Sequence, residues 1–84
     1  MSLTNDPVTL SARQVEELRK KLSIMRHDVN NHLSLIVAAA ELIKLSPDAA
    51  VRMAGTLTEQ PPKISDQITR FAVELEKVLS VHQA

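Results

Sequence analysis

Apolar residues recur along the first half of the chain at alternating steps of three and four positions. The series runs Val15, Leu18, Leu22, Met25, Val29, His32, Ile36, Ala39 and Ile43, and only His32 is polar. This spacing is that of a heptad repeat, whose first and fourth positions form one stripe along an α-helix. The pattern therefore predicts a long amphipathic helix. Ser11, followed three positions later by Gln14, predicts a capping box at its start.

A second series of the same spacing follows a short polar interruption, Ser46-Pro47-Asp48. Ser is a good N-cap, Pro suits the first helical position, and Asp suits the positive end of the helix dipole. The series itself runs Ala50, Ala54, Leu57, Pro61, Ile64, Ile68, Phe71, Leu75, Val78 and His82. Two helices joined by one tight connection predict an antiparallel hairpin, hence an all-α fold.

Pro61 and Pro62 lie in the middle of the second series. Two consecutive prolines remove two backbone donors and disfavour helical geometry in the residues before them, so one interpretation is a helix that stops and restarts. A free loop would usually reset the heptad phase, and the phase here continues unchanged. The pattern therefore favours one helix that is kinked at Pro61-Pro62.

The residues beside the stripe predict self-association. In the first half of the first series they are charged, whereas in the second half they are Leu33, Leu35, Ala40 and Leu42. A wide apolar stripe is typical of the centre of a four-helix bundle, and a lone hairpin would leave it open to water. Near the turn, small residues allow close approach of the helices, and Ala38–Ala40 are expected to face Ala50, Ala54 and Gly55. We therefore expect a homodimer of two hairpins.

Composition narrows the function classes. The chain has 84 residues, with ten Lys and Arg against ten Asp and Glu, so bulk charge does not favour nucleic acid. It has no Cys, which excludes disulfides and Cys-based metal sites, and one Gly and one aromatic residue, which disfavour a β fold. No apolar run approaches the roughly 18 residues of a membrane span, and no signal-peptide pattern occurs, so we expect a cytoplasmic protein without direct membrane contact. Residues 1–10 are expected to be a disordered leader or linker, and residues 11–84 the helical domain.

The candidate chemistry centres on His27. On the heptad this residue lies farthest from the apolar stripe, so its imidazole is expected to be exposed. Asp28 follows directly, and Asn31 lies one turn later on the same exposed face. His32 belongs to the stripe itself and is expected to be a packed or hydrogen-bonded core residue, level with Pro61. Asp28 and His32 have a spacing that could hold a metal, but two ligands without a third do not predict a metal site.

The string around His27 resembles the phosphoacceptor box of sensor histidine kinases, in the branch that reads His-Asp-x-x-Asn before a Leu-rich run. The matching residues are Ser23-Ile24-Met25-Arg26-His27-Asp28-Val29-Asn30-Asn31-His32-Leu33-Ser34-Leu35-Ile36. In that family the dimerisation and histidine phosphotransfer domain is an antiparallel hairpin that pairs into a four-helix bundle. The resemblance covers residues 11 to 82, and its specific signal is confined to these few residues.

The resemblance implies a role for each matching residue. His27 would accept the γ-phosphoryl group of ATP and pass it to an Asp of a response-regulator receiver domain. Asp28 would orient the imidazole and accept its proton, and Asn31 would position the water that dephosphorylates the receiver. Arg26 either steadies phosphate charge or is an ordinary solvated residue.

The same resemblance implies what must come from elsewhere. With one Gly the chain can form no phosphate-binding glycine loop, so ATP and Mg²⁺ would be held by a separate catalytic domain, and this chain would be a substrate and scaffold of a protein-histidine kinase. The expected partners are a second copy, that catalytic domain and a receiver. Two alternatives remain open: a stand-alone histidine phosphotransfer protein, and a structural dimerisation coiled coil in which His27 has no role.

Overall fold

Two long antiparallel helices form the whole of the described structure. The computed structural model describes residues 7–83, with side chains as far as Ser80; α1 spans Ala12–Leu45, α2 spans Ala49–Gln83, and no strand occurs among these residues. The molecule is a rod of 57 × 22 × 15 Å. The predicted all-α hairpin is confirmed. Residues 7–11 precede α1 without helical structure, whereas residues 1–6 of the expected leader and the side chain of His82 lie outside the described residues.

The predicted capping box is present at the start of α1. The Ser11 amide donates to Gln14 Oε1 at 2.8 Å, and the Gln14 amide donates to Ser11 Oγ at 3.1 Å. Two backbone amides that a helix N-terminus leaves without intrahelical partners are satisfied reciprocally in this way. The helix therefore begins where the sequence pattern places it.

The turn between the helices differs in detail from the prediction. Ser46 caps the end of α1, where its amide donates to the Leu42 carbonyl at 2.9 Å, and α2 begins only at Ala49. The amides of Ala49 and Ala50 donate to the carbonyls of Ser46 and Pro47 at 2.8 and 3.0 Å. The prediction that Ser46 caps the second helix and Pro47 opens it is therefore wrong. In a connection this short, backbone carbonyls three residues back are already within reach of the first amides of α2.

α2 runs unbroken through Pro61 and Pro62. The interpretation of a helix that stops and restarts is wrong, and Ile64 remains half-buried against α1. Just before the prolines, the Thr58 hydroxyl donates to the carbonyls of Ala54 and Gly55, both at 3.0 Å. A proline ring clashes with the carbonyl four residues earlier, which is the usual cause of a helix bend. Continuity is thus confirmed, and the kink itself stays a prediction.

The stripe predicted for α1 faces α2 over most of its length. Five of its large apolar side chains and His32 are half-buried, and Ala39 is 2 % exposed. Val15 and Leu22 are 43 % and 38 % exposed, so these two members of the stripe lie at the edge of the contact between the helices. The stripe predicted for α1 is therefore correct, apart from these two positions.

Over the first half of α2, the residues that face α1 each lie one position earlier in the chain than the predicted stripe. The side chains that face α1 are those of Ala49, Met53, Thr56, Gln60, Ile64, Gln67, Phe71, Glu74 and Val78. These follow the 3.6-residue period of a straight helix. The predicted core positions Ala50, Ala54, Pro61 and Ile68 are exposed. The hydrophobic pattern missed the true contact line because Gln60, Gln67 and Glu74 lie in it.

Two alanines are the most buried residues near the turn. Ala39 and Ala49 are 2 % and 1 % exposed, whereas Ala38, Ala40, Ala50, Ala54 and Gly55 are all exposed. A Cβ added at Gly55 would meet only Glu59 Oε1, at 3.9 Å. The expectation that Gly55 enables the close approach is therefore wrong, since its backbone faces open space.

The hairpin leaves much of its apolar surface uncovered. No large side chain is fully buried among the described residues, and several large apolar ones are about half-exposed or more, including Ile24, Leu33, Leu35, Val37, Leu42 and Ile68. Burial of an aliphatic side chain of this size contributes about 1.5–3 kcal/mol, so the isolated hairpin forgoes much of the available stabilisation. Within residues 7–83, neither helix contains a stretch apolar enough and long enough to cross a membrane.

Candidate functional site

His27 lies on the face of α1 that points away from α2. Its side chain is 75 % exposed, whereas Met25 and Val29, two positions to either side, are half-buried. This contrast follows from helical geometry, since residues two apart lie on nearly opposite faces. An imidazole in this position is open to a partner protein.

Asp28 lies beside the His27 ring. Its Oδ1 is 3.6 Å from His27 Nδ1, and its side chain is 38 % exposed because it leans toward α2. The separation exceeds hydrogen-bond length, yet a modest side-chain rotation would close it. With Nδ1 directed toward the carboxylate, Nε2 is the ring nitrogen that remains available to a reactant.

Asn31 and Arg26 are both exposed, and they lie on opposite sides of His27. Asn31 follows His27 by one turn, on the side toward which Asp28 leans. Arg26 lines a shallow groove on the other side together with Met25, Val29, Asn30 and Ile68. The structure thus groups His27, Asp28 and Asn31, and separates Arg26 from Asp28 and Asn31.

His32 faces inward and is hydrogen-bonded, as expected for a core histidine. Its Nδ1 donates to Gln60 Oε1 at 2.6 Å, and Gln60 is 6 % exposed. Because an amide oxygen can only accept, Nδ1 is the donor when the two atoms pair in this way. The sequence predicted that His32 lies level with Pro61, whereas in the structure His32 contacts Gln60, the residue before Pro61. Gln60 was missed, although a polar residue in the α1 stripe was a signal that a polar partner lies at the same height.

Charged side chains and one histidine line one side of the hairpin, which we call the polar flank and define as Lys21, His32, Lys63, Asp66, Arg70 and Glu74. His32, Lys63, Asp66 and Arg70 border one groove, and Lys21, Arg70 and Glu74 border the next. Arg70 Nε lies 3.0 Å from Asp66 Oδ2, and Lys21 Nζ lies 2.7 Å from Glu74 Oε2. Asp28 and Asn31 lean toward this flank, so the candidate site adjoins it.

The Lys21–Glu74 pair links the two helices at the end away from the turn. The Lys21 ammonium donates a hydrogen bond to the Glu74 carboxylate and attracts it electrostatically, with a smaller contribution from Lys77, and these effects hold the pKa of Glu74 below its ordinary value of 4.5. The side chains are 46 % and 37 % exposed. The pair is therefore a surface contact that solvent screens.

The side of α2 opposite the polar flank is apolar from Ala50 to Leu79, and we call it the apolar strip. It consists of Ala50, Ala54, Leu57, Pro61, Ile64, Ile68, Ala72, Leu75 and Leu79. Ile68 shares the groove of Arg26 and Asn30, on the side of α1 away from Lys21, which places the strip opposite the polar flank. Leu57, Ile64, Leu75 and Leu79 are only half-buried, and the other members are exposed. The α2 positions that the heptad pattern singled out are mostly those of this strip.

Within the described part of the chain, no three His, Asp or Glu side chains lie close enough together to hold a metal ion. No family model, curated protein or solved structure matches this chain.

Proposed function

We propose that this chain is the phosphoacceptor and dimerisation module of a two-component histidine kinase, with His27 as the phosphoryl carrier. The observation that carries the proposal is the pairing of an exposed imidazole with an adjacent carboxylate: His27 is 75 % exposed and its Nδ1 lies 3.6 Å from Asp28 Oδ1. The resemblance of the surrounding string to the His-Asp-x-x-Asn box adds to it. The chain lacks a nucleotide-binding loop, so a separate catalytic domain supplies ATP and Mg²⁺.

The phosphoryl step uses the free ring nitrogen. Nε2 of His27 attacks the γ-phosphorus of ATP, an N–P bond forms, and the bond to the bridging oxygen of ADP breaks. Asp28 accepts or shares the proton on Nδ1, which keeps the ring oriented as the positive charge develops. In the second step a carboxylate oxygen of a receiver Asp attacks the same phosphorus, and the imidazole leaves.

Asn31 serves the reverse direction of signalling in this proposal. Its amide lies one turn from His27 on the side where Asp28 leans, so a receiver docked over His27 also covers Asn31. An amide there can hold a water in line with the acyl phosphate of the receiver by accepting and donating hydrogen bonds. Arg26 is directed elsewhere and has no assigned role.

A second copy of the chain covers the apolar strip in the proposed assembly. The strip is continuous over α2, whereas the polar flank carries paired charges that would be costly to bury. Pairing two strips would create a four-helix bundle in which His27, on the outward face of α1, stays accessible. The proposed module thus divides its surface between self-association and partner docking.

The test is phosphorylation by phosphoramidate, a small donor that needs no catalytic domain, followed by transfer to receiver domains. We expect an acid-labile, base-stable label on His27 that a receiver removes. Asp28→Asn should slow labelling of His27 by about a hundredfold, and the turn residue Asp48→Asn is the matched control. His27→Gln should lose the transferable label. A transferable label on His32, or one retained in His27→Gln, would contradict the proposal.

The runner-up function is a structural dimerisation hairpin, which the apolar strip alone would explain. It differs from the proposal in one measurable respect, since it requires no reactivity at His27. If the chain dimerises and no receiver draws phosphate from His27, the structural function should replace the phosphotransfer function.

A further inference from the structure

One hydrogen bond stands out in the contact between the helices. His32 Nδ1 donates to Gln60 Oε1 at 2.6 Å, at the midpoint of the hairpin and immediately before Pro61 and Pro62. Gln60 is 6 % exposed and is the one polar residue that is buried in the described part of the chain. A buried amide that is not hydrogen-bonded is costly, so this pair depends on one relative position of the helices.

The three-residue connection between α1 and α2 limits that position at the turn end, whereas the other side-chain contacts specify it weakly. Near the turn the most buried residues are two alanines, Ala39 and Ala49, whose side chains have no directional groups. Toward the other end, Lys21 and Glu74 are long, flexible and 46 % and 37 % exposed. Apolar residues recur every turn along the α1 stripe and alternate with polar ones along the contact line of α2, so a slip of one turn would exchange several apolar contacts for others. Such degeneracy is what a single buried polar pair resolves in helical bundles.

We infer that the His32–Gln60 hydrogen bond is a register lock, which opposes one direction of slip of α2 along α1. A slip of one turn in one direction would place His32 against Ile64 and Gln60 against Ile36, and both polar groups would lose their partners. A slip in the other direction would place His32 against Thr56 and Gln60 against Asp28, which can still form hydrogen bonds. The lock therefore acts mainly against the first direction.

Register decides which charges border the candidate site. In the observed register, Lys63, Asp66 and Arg70 border the groove at His32. One turn of slip in the blocked direction would bring Gln67, Arg70 and Glu74 to those positions, and the sequence of charges along the flank would change. The lock thereby determines the charged surface to which a partner would bind. This consequence rests on the proposed function, whereas the lock itself does not.

The chain lacks Cys, so engineered cysteine pairs can report register directly. Lys21→Cys with Glu74→Cys reports the observed register, and Lys21→Cys with Lys77→Cys reports a slip in the blocked direction. Lys21→Cys with Arg70→Cys reports the opposite slip. Each pair is oxidised at equilibrium, and the intramolecular disulfide is separated from intermolecular products by mass.

The decisive variant is His32→Leu with Gln60→Leu, which removes both polar groups together. We expect the double variant to stay helical while the 21–77 disulfide rises from a trace to a yield comparable with the 21–74 disulfide. Each single variant should lower the folding equilibrium constant by about tenfold, because it leaves one buried polar group without its partner. Ile36→Leu with Ile64→Leu, which changes neighbouring side chains and keeps the lock, should give only the 21–74 product.

A swapped pair, His32→Gln with Gln60→His, keeps the proposal testable if the apolar variant fails to fold. The exchange restores the hydrogen bond with the partners reversed, so the 21–74 product should again dominate. A double Leu variant that forms only the 21–74 disulfide, or a folded swapped variant that slips, would overturn the register lock. Neither measurement involves phosphoryl transfer, so His27→Gln should leave every disulfide yield unchanged.

Discussion

Two adjacent asparagines on α1 provide a matched comparison for the proposed water-positioning role. Asn30 and Asn31 are both exposed, but only Asn31 lies on the side of Asp28, while Asn30 lines the groove of Arg26. We expect Asn31→Ala to slow dephosphorylation of a bound receiver by about a hundredfold. It should leave labelling of His27 intact and change the free energy of unfolding by no more than about 0.5 kcal/mol.

Asn30→Ala, assayed in parallel with the same receiver, should behave as the unmodified chain. Receiver phosphate is followed by the loss of radiolabel with time. Equal rates for the two alanine variants would remove Asn31 from the proposed site.

Glu74 gives the hairpin a specific response to acid. Its pKa is lowered in the folded chain by Lys21 and, less strongly, by Lys77, so the ionised carboxylate favours folding. This stabilisation is complete above the unfolded value near 4.5 and disappears as the pH falls through the lowered folded pKa. Glu74→Gln should therefore be less stable than the unmodified chain at neutral pH, and the two stability curves should converge in acid.

Urea unfolding at a series of pH values measures this convergence. Glu76→Gln, an exposed change on the same helix, is the control and should leave the profile of the unmodified chain in place. A constant difference between Glu74→Gln and the unmodified chain down to the lowest pH would show that the effect is not electrostatic.

At the scale of the element, the start of α1 depends on two short hydrogen bonds between Ser11 and Gln14. Ser11→Ala removes the hydroxyl that accepts from the Gln14 amide. We expect a loss of about 1 kcal/mol in the free energy of unfolding and fraying of the first turn. Ser23→Ala, at an exposed position inside the helix, should instead have no effect or stabilise slightly, since Ala is the better helix former. Thermal unfolding followed by circular dichroism distinguishes the two.

The elements were readable from the sequence because long amphipathic helices carry a strong periodic signal. Ser11 and Gln14 predicted the start of α1, and the unbroken phase across Pro61-Pro62 predicted the continuity of α2. The contact line of α2 was not readable, because polar side chains such as Gln60 occupy positions whose burial depends on a partner from α1. Pairing between distant residues is a tertiary property that periodicity within one helix does not contain.

The candidate site, too, was predictable from the sequence only in part. Exposure of His27 followed from its place on the heptad, since that position faces away from the stripe whatever α1 packs against. Proximity of Asp28 to the ring followed from adjacency in the chain. The separation of Arg26 from Asp28 also follows from helical geometry, since residues two apart lie on nearly opposite faces. The hydrogen bond between His32 and Gln60 required the coordinates of both helices.

At the scale of the whole molecule, the apolar strip predicts the state of association. Ile68 is 51 % exposed and lies on the strip, whereas its neighbour Thr69 is exposed on the outward side of α2. Ile68→Glu should weaken the dimer by at least about 1.5 kcal/mol, because it places a charge in a contact that buries aliphatic surface. Thr69→Glu should leave the dimer intact. Sedimentation equilibrium at tens of micromolar measures the association state of each variant. An unmodified chain that is monomeric with full helicity would contradict the prediction.

The position of the single turn also dictates an order of events in folding. The two ends of the His32–Gln60 contact are 28 residues apart in the chain, and those of the Lys21–Glu74 contact are 53 apart. Closing the longer loop first would cost about 0.6 kcal/mol more in chain entropy, whereas the helix segments next to the turn, which contain Ala39 and Ala49, meet almost at once. The hairpin should therefore nucleate at its turn and zip toward the chain termini. In φ-value analysis, Ala39→Gly should slow folding, whereas Glu74→Gln should mainly speed unfolding.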